Sequence, residues 1–319
     1  MVPMLALKPS RPKTAFPCFL AIAVLAIANG GCTQTSQSSP LTPQRLVAVE
    51  GATLDRFPAE KGNVIYLQTL DLHKIQIDQL TGNVDRSRQA QGFYYPSQSK
   101  ESSPFFQRLT VAQVRKDYQQ QNRLGIFSII NASFFEDYQR STRLSFPLKL
   151  NGKVITAGSS PYGPIPKPAD PYYRKIQLQA LIWDNTKATI APYNPANGSP
   201  LDRATVQNAL VSYAYQDHPA YVLAGDPANR YHMIGILNPQ DVGKTNRLLI
   251  ATSDRATLER AATVVRQQGV KGDLMTIDGG ISTYLWSDRA GDLILPQVAD
   301  GEKVPALPHY LGIRAKKHL

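Results

Sequence analysis

Near the end of the chain an apolar run closes on an acid, two glycines and two hydroxyl residues: Leu274 to Trp286 reads LMTIDGGISTYLW. Such a run is a buried strand that delivers Asp278 to the rim of a sheet. Gly279 and Gly280, lacking Cβ, let the backbone turn sharply and bring N–H groups towards a ligand. Ser282 and Thr283 add two hydroxyls. A carboxylate able to trade protons, beside groups able to hold an anion, suits hydrolysis of something that carries a phosphate. The plainer reading of the same residues is strand, tight turn and strand, with Asp278 capping the turn.

A second apolar strand, Ile126 to Phe135 (IFSIINASFF), ends at Asn131. The carboxamide of Asn131 offers both an acceptor and donors, so it can orient a sugar hydroxyl or hold the Asp278 carboxylate. Between the two stretches, NRYHMIGIL presents Arg230 and His232. A guanidinium grips two phosphate oxygens in a fork that lysine cannot form, and His232, pointing the same way on a strand, is a candidate general acid. A structural arginine and a satisfied structural histidine are the plainer readings of that pair.

Taken together and in this order, the three stretches resemble the phosphodiester glycosidase family. The first family motif is usually Asn-Gly-Gly-Phe-Phe, and here it stands as Asn131, Ala132, Ser133, Phe134 and Phe135. The second is usually Asp-Gly-Gly-Gly-Ser, and here Asp278, Gly279 and Gly280 are followed by Ile281 and Ser282. The family's arginine before an Ile-Gly strand is matched by Arg230. The likeness runs from about Asn63 to the last strand, HYLGIRA, in the order and spacing of elements. It implies a hydrolase that cleaves a sugar from a sugar-phosphate diester. Asp278 would act as nucleophile or general base at the anomeric carbon, Arg230 and the N–H groups of Gly279 and Gly280 would neutralise the phosphate, and Asn131, Ser282 and Thr283 would orient substrate.

Ile281 departs from the pattern, since a β-branched side chain restricts χ1 and disfavours positive φ. It is the main support for a rival reading, a non-catalytic glycan-binding or envelope-assembly module on the same fold. A metal-assisted phosphodiesterase is a third reading, but no His/Asp cluster stands at ligand spacing. No cofactor is predicted, and a divalent cation stays open.

The first thirty-two residues read as a leader. Lys8, Arg11 and Lys13 precede an apolar run from Ala15 to Ala28, and Asn29, Gly30, Gly31 and Cys32 follow. The run is too short for a permanent span. Cys18 leaves with the leader, so Cys32 has no disulfide partner and is the candidate for lipidation, with the protein exported and held to a membrane of the cell envelope. Cleavage without lipidation is the alternative, because Asn29 is a poor residue three before the cysteine. Residues 33–45, rich in Ser, Thr, Gln and Pro, form a tether, and 46–319 a single domain. The net charge of +11 loses three cations and no acid with the leader, leaving +8. That balance suits an acidic glycan, a sugar-phosphate or an anionic membrane face. The cations are scattered, which argues against nucleic acid, and the oligomeric state is left open.

Elements must position these residues. Asn63 to Asp78 alternates, with a break near Asp71, as two strands or one bent strand. Thr110 with Gln113 spells a capping box for a helix to about Asn122 that feeds the Asn131 strand. Lys149 to Ala157 is a hairpin turning at Asn151-Gly152, and Gln177 to Tyr193 a second about Asn185-Thr186. Asn208 to Tyr215 is a further strand. Polar residues 86–104 read as a loop whose Phe93, Tyr94 and Tyr95 can supply a sugar-stacking face, with core or rim packing as the plainer reading, and proline-rich 159–173 as a second long loop. Ser253 or Asp254 caps a helix with the stripe Leu258, Ala261, Ala262 and Val265, closed by Gly269. Strand–helix–strand units among hairpins predict an α+β fold, a mixed and largely antiparallel sheet with a few packed helices.

Overall fold

Alternating runs become strands of two layers. Asn63 to Asp78 breaks where its pattern requires, but the halves part company: Val64–Asp71 joins a six-stranded sheet and Ile75–Thr81 a five-stranded one. In spatial order the six-stranded sheet contains Gln44–Val49, Ala52–Pro58, Val64–Asp71, Arg247–Ala256, Asn229–Leu237 and Leu274–Ile277. The five-stranded sheet that bears Asn131 contains Leu293–Leu295, Leu285–Trp286, Ile126–Asn131, His309–Ala315 and Ile75–Thr81. A second five-stranded sheet carries Ala188–Tyr193, Leu178–Trp183, Asn208–Tyr213, Leu148–Leu150 and Lys153–Thr156, and a two-stranded one pairs Phe106–Gln107 with Ser141–Thr142.

The structure is a computed structural model that describes residues 42–59, 62–88, 103–122, 125–159, 175–193, 200–237, 246–291, 293–296 and 305–316. The leader, Cys32, most of the tether, the Phe93–Tyr95 cluster and nearly all of the proline-rich loop lie outside the described residues. Leu41–Leu319 makes one compact unit.

The α+β expectation is corrected: this is largely a β fold of four sheets, whose strand pairings among the described residues are antiparallel. Its described α-helices are Val111–Gln121, Pro219–Val222 and Leu258–Gln267. The reason is topological. Leu258–Gln267 joins Arg247–Ala256 to Leu274–Ile277, but both strands flank Asn229–Leu237 and pair antiparallel with it, so the crossover makes no parallel ladder. The first hairpin, Gln44–Val49 with Ala52–Pro58, has no counterpart in the sequence reading, and it starts inside the stretch expected to be tether.

Both helix starts follow from capping, with one shift. At Thr110 the capping box is complete: its N–H donates to Gln113 Oε1 at 2.9 Å, and the Gln113 N–H donates to Thr110 Oγ1 at 3.3 Å. The later helix is capped by Thr257, whose Oγ1 accepts from the Arg260 N–H at 3.1 Å, and not by Ser253 or Asp254. Those two residues stay in the Arg247–Ala256 strand because neighbours on both sides pair with it there. The Asn151-Gly152 turn takes the two positive φ values, 48° and 78°, that a type I′ hairpin needs.

The main core lies between the sheets. Leu54, Tyr66, Ile234 and Ile250 of the six-stranded sheet share it with Ile130, Leu285 and Leu311 of the Asn131 sheet, and with Leu148, Leu181 and Trp183 of the other. On the opposite face, Leu67, Met233 and Leu249 take the helix stripe Leu258, Ala261, Ala262 and Val265. Each such leucine, isoleucine or valine contributes about 1.5–3 kcal/mol on burial, which fixes the layers against each other. Val114 and Tyr118 of the first helix pack with Ile126, Ile129, Trp286 and Tyr310, seating the strand that ends at Asn131.

Candidate functional site

Two strand ends from different sheets meet here. Asn131 closes Ile126–Asn131, Asp278 follows Leu274–Ile277, and both are nearly inaccessible, at 1% and 6% exposure. Asn131 Nδ2 donates to the Asp278 backbone oxygen at 2.9 Å and to its Oδ2 at 3.2 Å. The Asp278 N–H returns a bond to the Ala132 carbonyl at 2.8 Å. This exchange closes the gap between the sheets.

Asn131 Oδ1 accepts from the Tyr284 N–H at 2.7 Å and lies 2.7 Å from His232 Nε2. A backbone N–H only donates, so the atom facing both groups is the carboxamide oxygen, and His232 must carry its proton on Nε2. His232 Nδ1 is then bare and accepts from the Thr252 hydroxyl at 2.9 Å. Burial pushes the His232 pKa down to about 3, so the ring is neutral. Fully enclosed and engaged at both nitrogens, it orients Asn131.

Burial raises the Asp278 carboxyl to about 7; hydrogen bonds from Asn131, Ser282 and the Gly279 N–H, with the charge of Arg108, oppose that rise without cancelling it. Near neutrality Asp278 therefore exists in both forms, which is what proton exchange requires.

The two glycines differ. Gly279 is extended (φ −140°, ψ −156°), and a Cβ there would stand 2.8 Å from the Arg230 carbonyl oxygen, so its bareness serves close packing on the neighbouring strand. Its N–H goes to the Asp278 carboxyl. Gly280 takes the left-handed φ of 69°, with open space where a Cβ would be. Ile281 is not among the residues with positive φ, and it is 85% exposed, so isoleucine where the resembled motif has glycine imposes no backbone strain.

Of the residues singled out in the sequence, Asp278, Asn131, His232, Gly279 and Ser282 thus share one hydrogen-bonded network. Thr283 lies beside it, fully buried, with no hydrogen-bond partner for Oγ1. The Arg230 side chain is elsewhere engaged: Nε sits 3.2 Å from Asp254 Oδ1, both side chains being largely covered. A bulge between Asn229 and Tyr231 interrupts the regular alternation that would align Arg230 with His232.

Three residues were missed. Arg108 acts electrostatically on Asp278 and lies over the Phe135 ring at 4.7 Å. It precedes the Thr110 cap and carries no motif of its own. His309 opens the last strand; its Nδ1 is 2.7 Å from Ser133 Oγ, and its buried Nε2 has no hydrogen-bond partner. Burial lowers its pKa to about 3. His218 accepts from the Ala220 N–H at 3.1 Å through Nδ1, and its ring stands among Phe134, Tyr213 and Tyr231 at 5.5–5.8 Å. Phe134 and Tyr231 of that group stand in the stretches singled out above, and His218 itself does not.

The architecture is shared with a solved enzyme. The catalytic domain of zebrafish N-acetylglucosamine-1-phosphodiester alpha-N-acetylglucosaminidase, auto-inhibited by its pro-peptide, superposes over 88% of this chain and 85% of its own, with a TM-score of 0.51 and 11% identity. A hypothetical protein from Synechocystis matches over 86% of this chain and 64% of its own, with a TM-score of 0.41 and 12% identity. At 11% identity the first likeness is a distant relationship of fold. By sequence, no family model and no curated protein matches the chain.

Proposed function

We propose that the protein is an exported hydrolase that cleaves a sugar from a sugar-phosphate diester. The observation that carries the reading is the Asp278 carboxyl, raised to about 7 and held by Asn131, Ser282 and the Gly279 N–H at the junction of two sheets. The fold shared with the zebrafish glycosidase domain supports the same reading.

In this scheme the ionised Asp278 takes a proton from water as the water oxygen bonds to the anomeric carbon. The bond from that carbon to the bridging phosphate oxygen breaks, its electron pair stays with the phosphate, and a free sugar and a phosphate monoester are released. A pKa near the working pH favours the general base over the nucleophile, because a base is most effective when its pKa lies close to ambient pH. His232 transfers no proton in this scheme; it is a positioning residue that acts through Asn131. Export rests on the leader, and attachment through an acylated Cys32 belongs to the same proposal.

The test is sugar release from a panel of sugar-1-phosphate diesters by the full chain. Hydrolysis that falls about 10²–10⁴-fold in Asp278→Asn supports the reading. Binding of the same compounds without turnover, unchanged in that variant, would establish the glycan-binding module instead.

A further inference from the structure

The reading above leaves the departing phosphate without a cation, because the guanidinium that the motif suggests is already paired with Asp254. We infer that Arg108 is the residue that receives the phosphate, an inference that rests on the proposed hydrolase but is tested apart from it. Arg108 stands at the right place by three independent observations. Its charge reaches the Asp278 carboxyl and also Tyr310, the residue paired with Asn131 across the sheet. Its guanidinium lies 4.7 Å over the ring of Phe135, which belongs to the same motif as Asn131. Its backbone is pinned by the bond from its N–H to the Arg140 carbonyl at 2.7 Å and by the Leu109–Leu307 bridge that follows.

What marks it as a binding group is unfinished hydrogen bonding. Arg108 Nε is buried and has no partner among the described residues, and the Asp137 carboxylate reaches Nη2 only at 3.9 Å from a fully exposed side chain. An exposed contact of that length is weak and screened by salt. A buried guanidinium donor left unmade is costly, and a phosphate oxygen supplies the acceptor with matching geometry and charge. The aromatic face of Phe135 holds the guanidinium plane without using its N–H groups. The Thr283 hydroxyl, five residues after Asp278, is likewise buried without a hydrogen-bond partner.

The probe is inorganic phosphate, titrated calorimetrically into the full chain at low ionic strength. Wild type binds; Arg108→Gln weakens binding about ten- to hundredfold, the worth of a charge-assisted hydrogen bond, and Arg108→Lys falls between the two. Arg230→Gln keeps phosphate affinity within about twofold while lowering thermal stability, as expected of a structural ion pair. The inference is overturned if wild type binds no phosphate, if Arg108→Gln binds as wild type does, or if Arg230→Gln is the variant that loses it. Phosphate binding that depends on Arg108 in a protein that hydrolyses no diester would sink the hydrolase and keep the subsite; hydrolysis indifferent to Arg108 would do the reverse.

Discussion

Replacing Asp278 by Asn should make the protein more stable at pH 8 and leave its stability unchanged near pH 3. The carboxyl holds its proton to about pH 7 in the folded chain, against 3.8 when unperturbed. Between those values the folded state binds more protons than the unfolded one, so stability declines as pH rises through the window and levels off above it. A displacement of about three units corresponds to about 4 kcal/mol. Asn is uncharged at every pH and still offers an oxygen to Asn131 Nδ2, but it cannot satisfy both Ser282 and the Gly279 N–H as a carboxylate does. Allowing about 1 kcal/mol for that loss, Asp278→Asn gains roughly 2–3 kcal/mol at pH 8, or about 4–12 °C in Tm for a domain of this size. Urea unfolding of both proteins at pH 4, 6 and 8 measures the difference directly. The general-base proposal adds loss of hydrolysis in the same variant, a case of stability bought with function. A stability difference that is flat with pH, or of opposite sign at pH 8, would refute the claim that burial governs this carboxyl.

Three other perturbations test neighbouring parts of the argument. Asn131→Ala strips the acceptor from the Tyr284 N–H and His232 Nε2 and the donor from the Asp278 carbonyl, so it should cost about 2–4 kcal/mol in urea unfolding, more than a simple loss of side-chain volume. Gly279→Ala puts a Cβ 2.8 Å from the Arg230 carbonyl oxygen; about 1–3 kcal/mol of stability should go with it, and proton exchange of the Asp278 N–H should quicken. Ile281→Ala, at an 85% exposed position, should change stability by no more than about 0.5 kcal/mol in a thermal melt.

What was legible in the sequence is what local chemistry decides. The Thr110 and Gln113 box, the Asn151-Gly152 turn and the 258–265 stripe rest on residues within one turn of each other, and the structure has each. Apolar strands ending at Asn131 and Asp278 were legible too, because a run that stops on a polar residue must reach an edge of the core. The rest was decided by tertiary pairing. Ser253 and Asp254 have the character of caps, yet the sheet runs on through them, paired with Val64–Asp71 as far as Asp254 and with Asn229–Leu237 as far as Ala256. Asp254 then takes Arg230, twenty-four positions away, and no spacing rule announces that partner. Arg108 lies 170 residues before the acid it influences, on a segment fixed by Arg140 and Leu307. The fold class was misread because helices that follow strands suggest parallel crossovers, whereas here the strand just before the pair, Asn229–Leu237, lies between them and pairs antiparallel with both.

The same bonds that shape the site also hold the sheets together, and this constrains how the site can vary. Asn131 Nδ2 reaches a backbone carbonyl of the other sheet before it reaches the carboxylate, and its oxygen is shared by a backbone N–H and a histidine anchored on Thr252. No buried solvent could take over so many roles, so loosening Asn131 to retune Asp278 would part the layers. Variation is easier where the loop faces outward. Gly280 has open space where a Cβ would be and the Ile281 side chain is exposed, so side chains can change there without disturbing the network beneath. Isoleucine at 281 therefore shapes only the exposed surface of the loop, while the carboxyl of Asp278, the carboxamide of Asn131 and the imidazole of His232 lie buried beneath it.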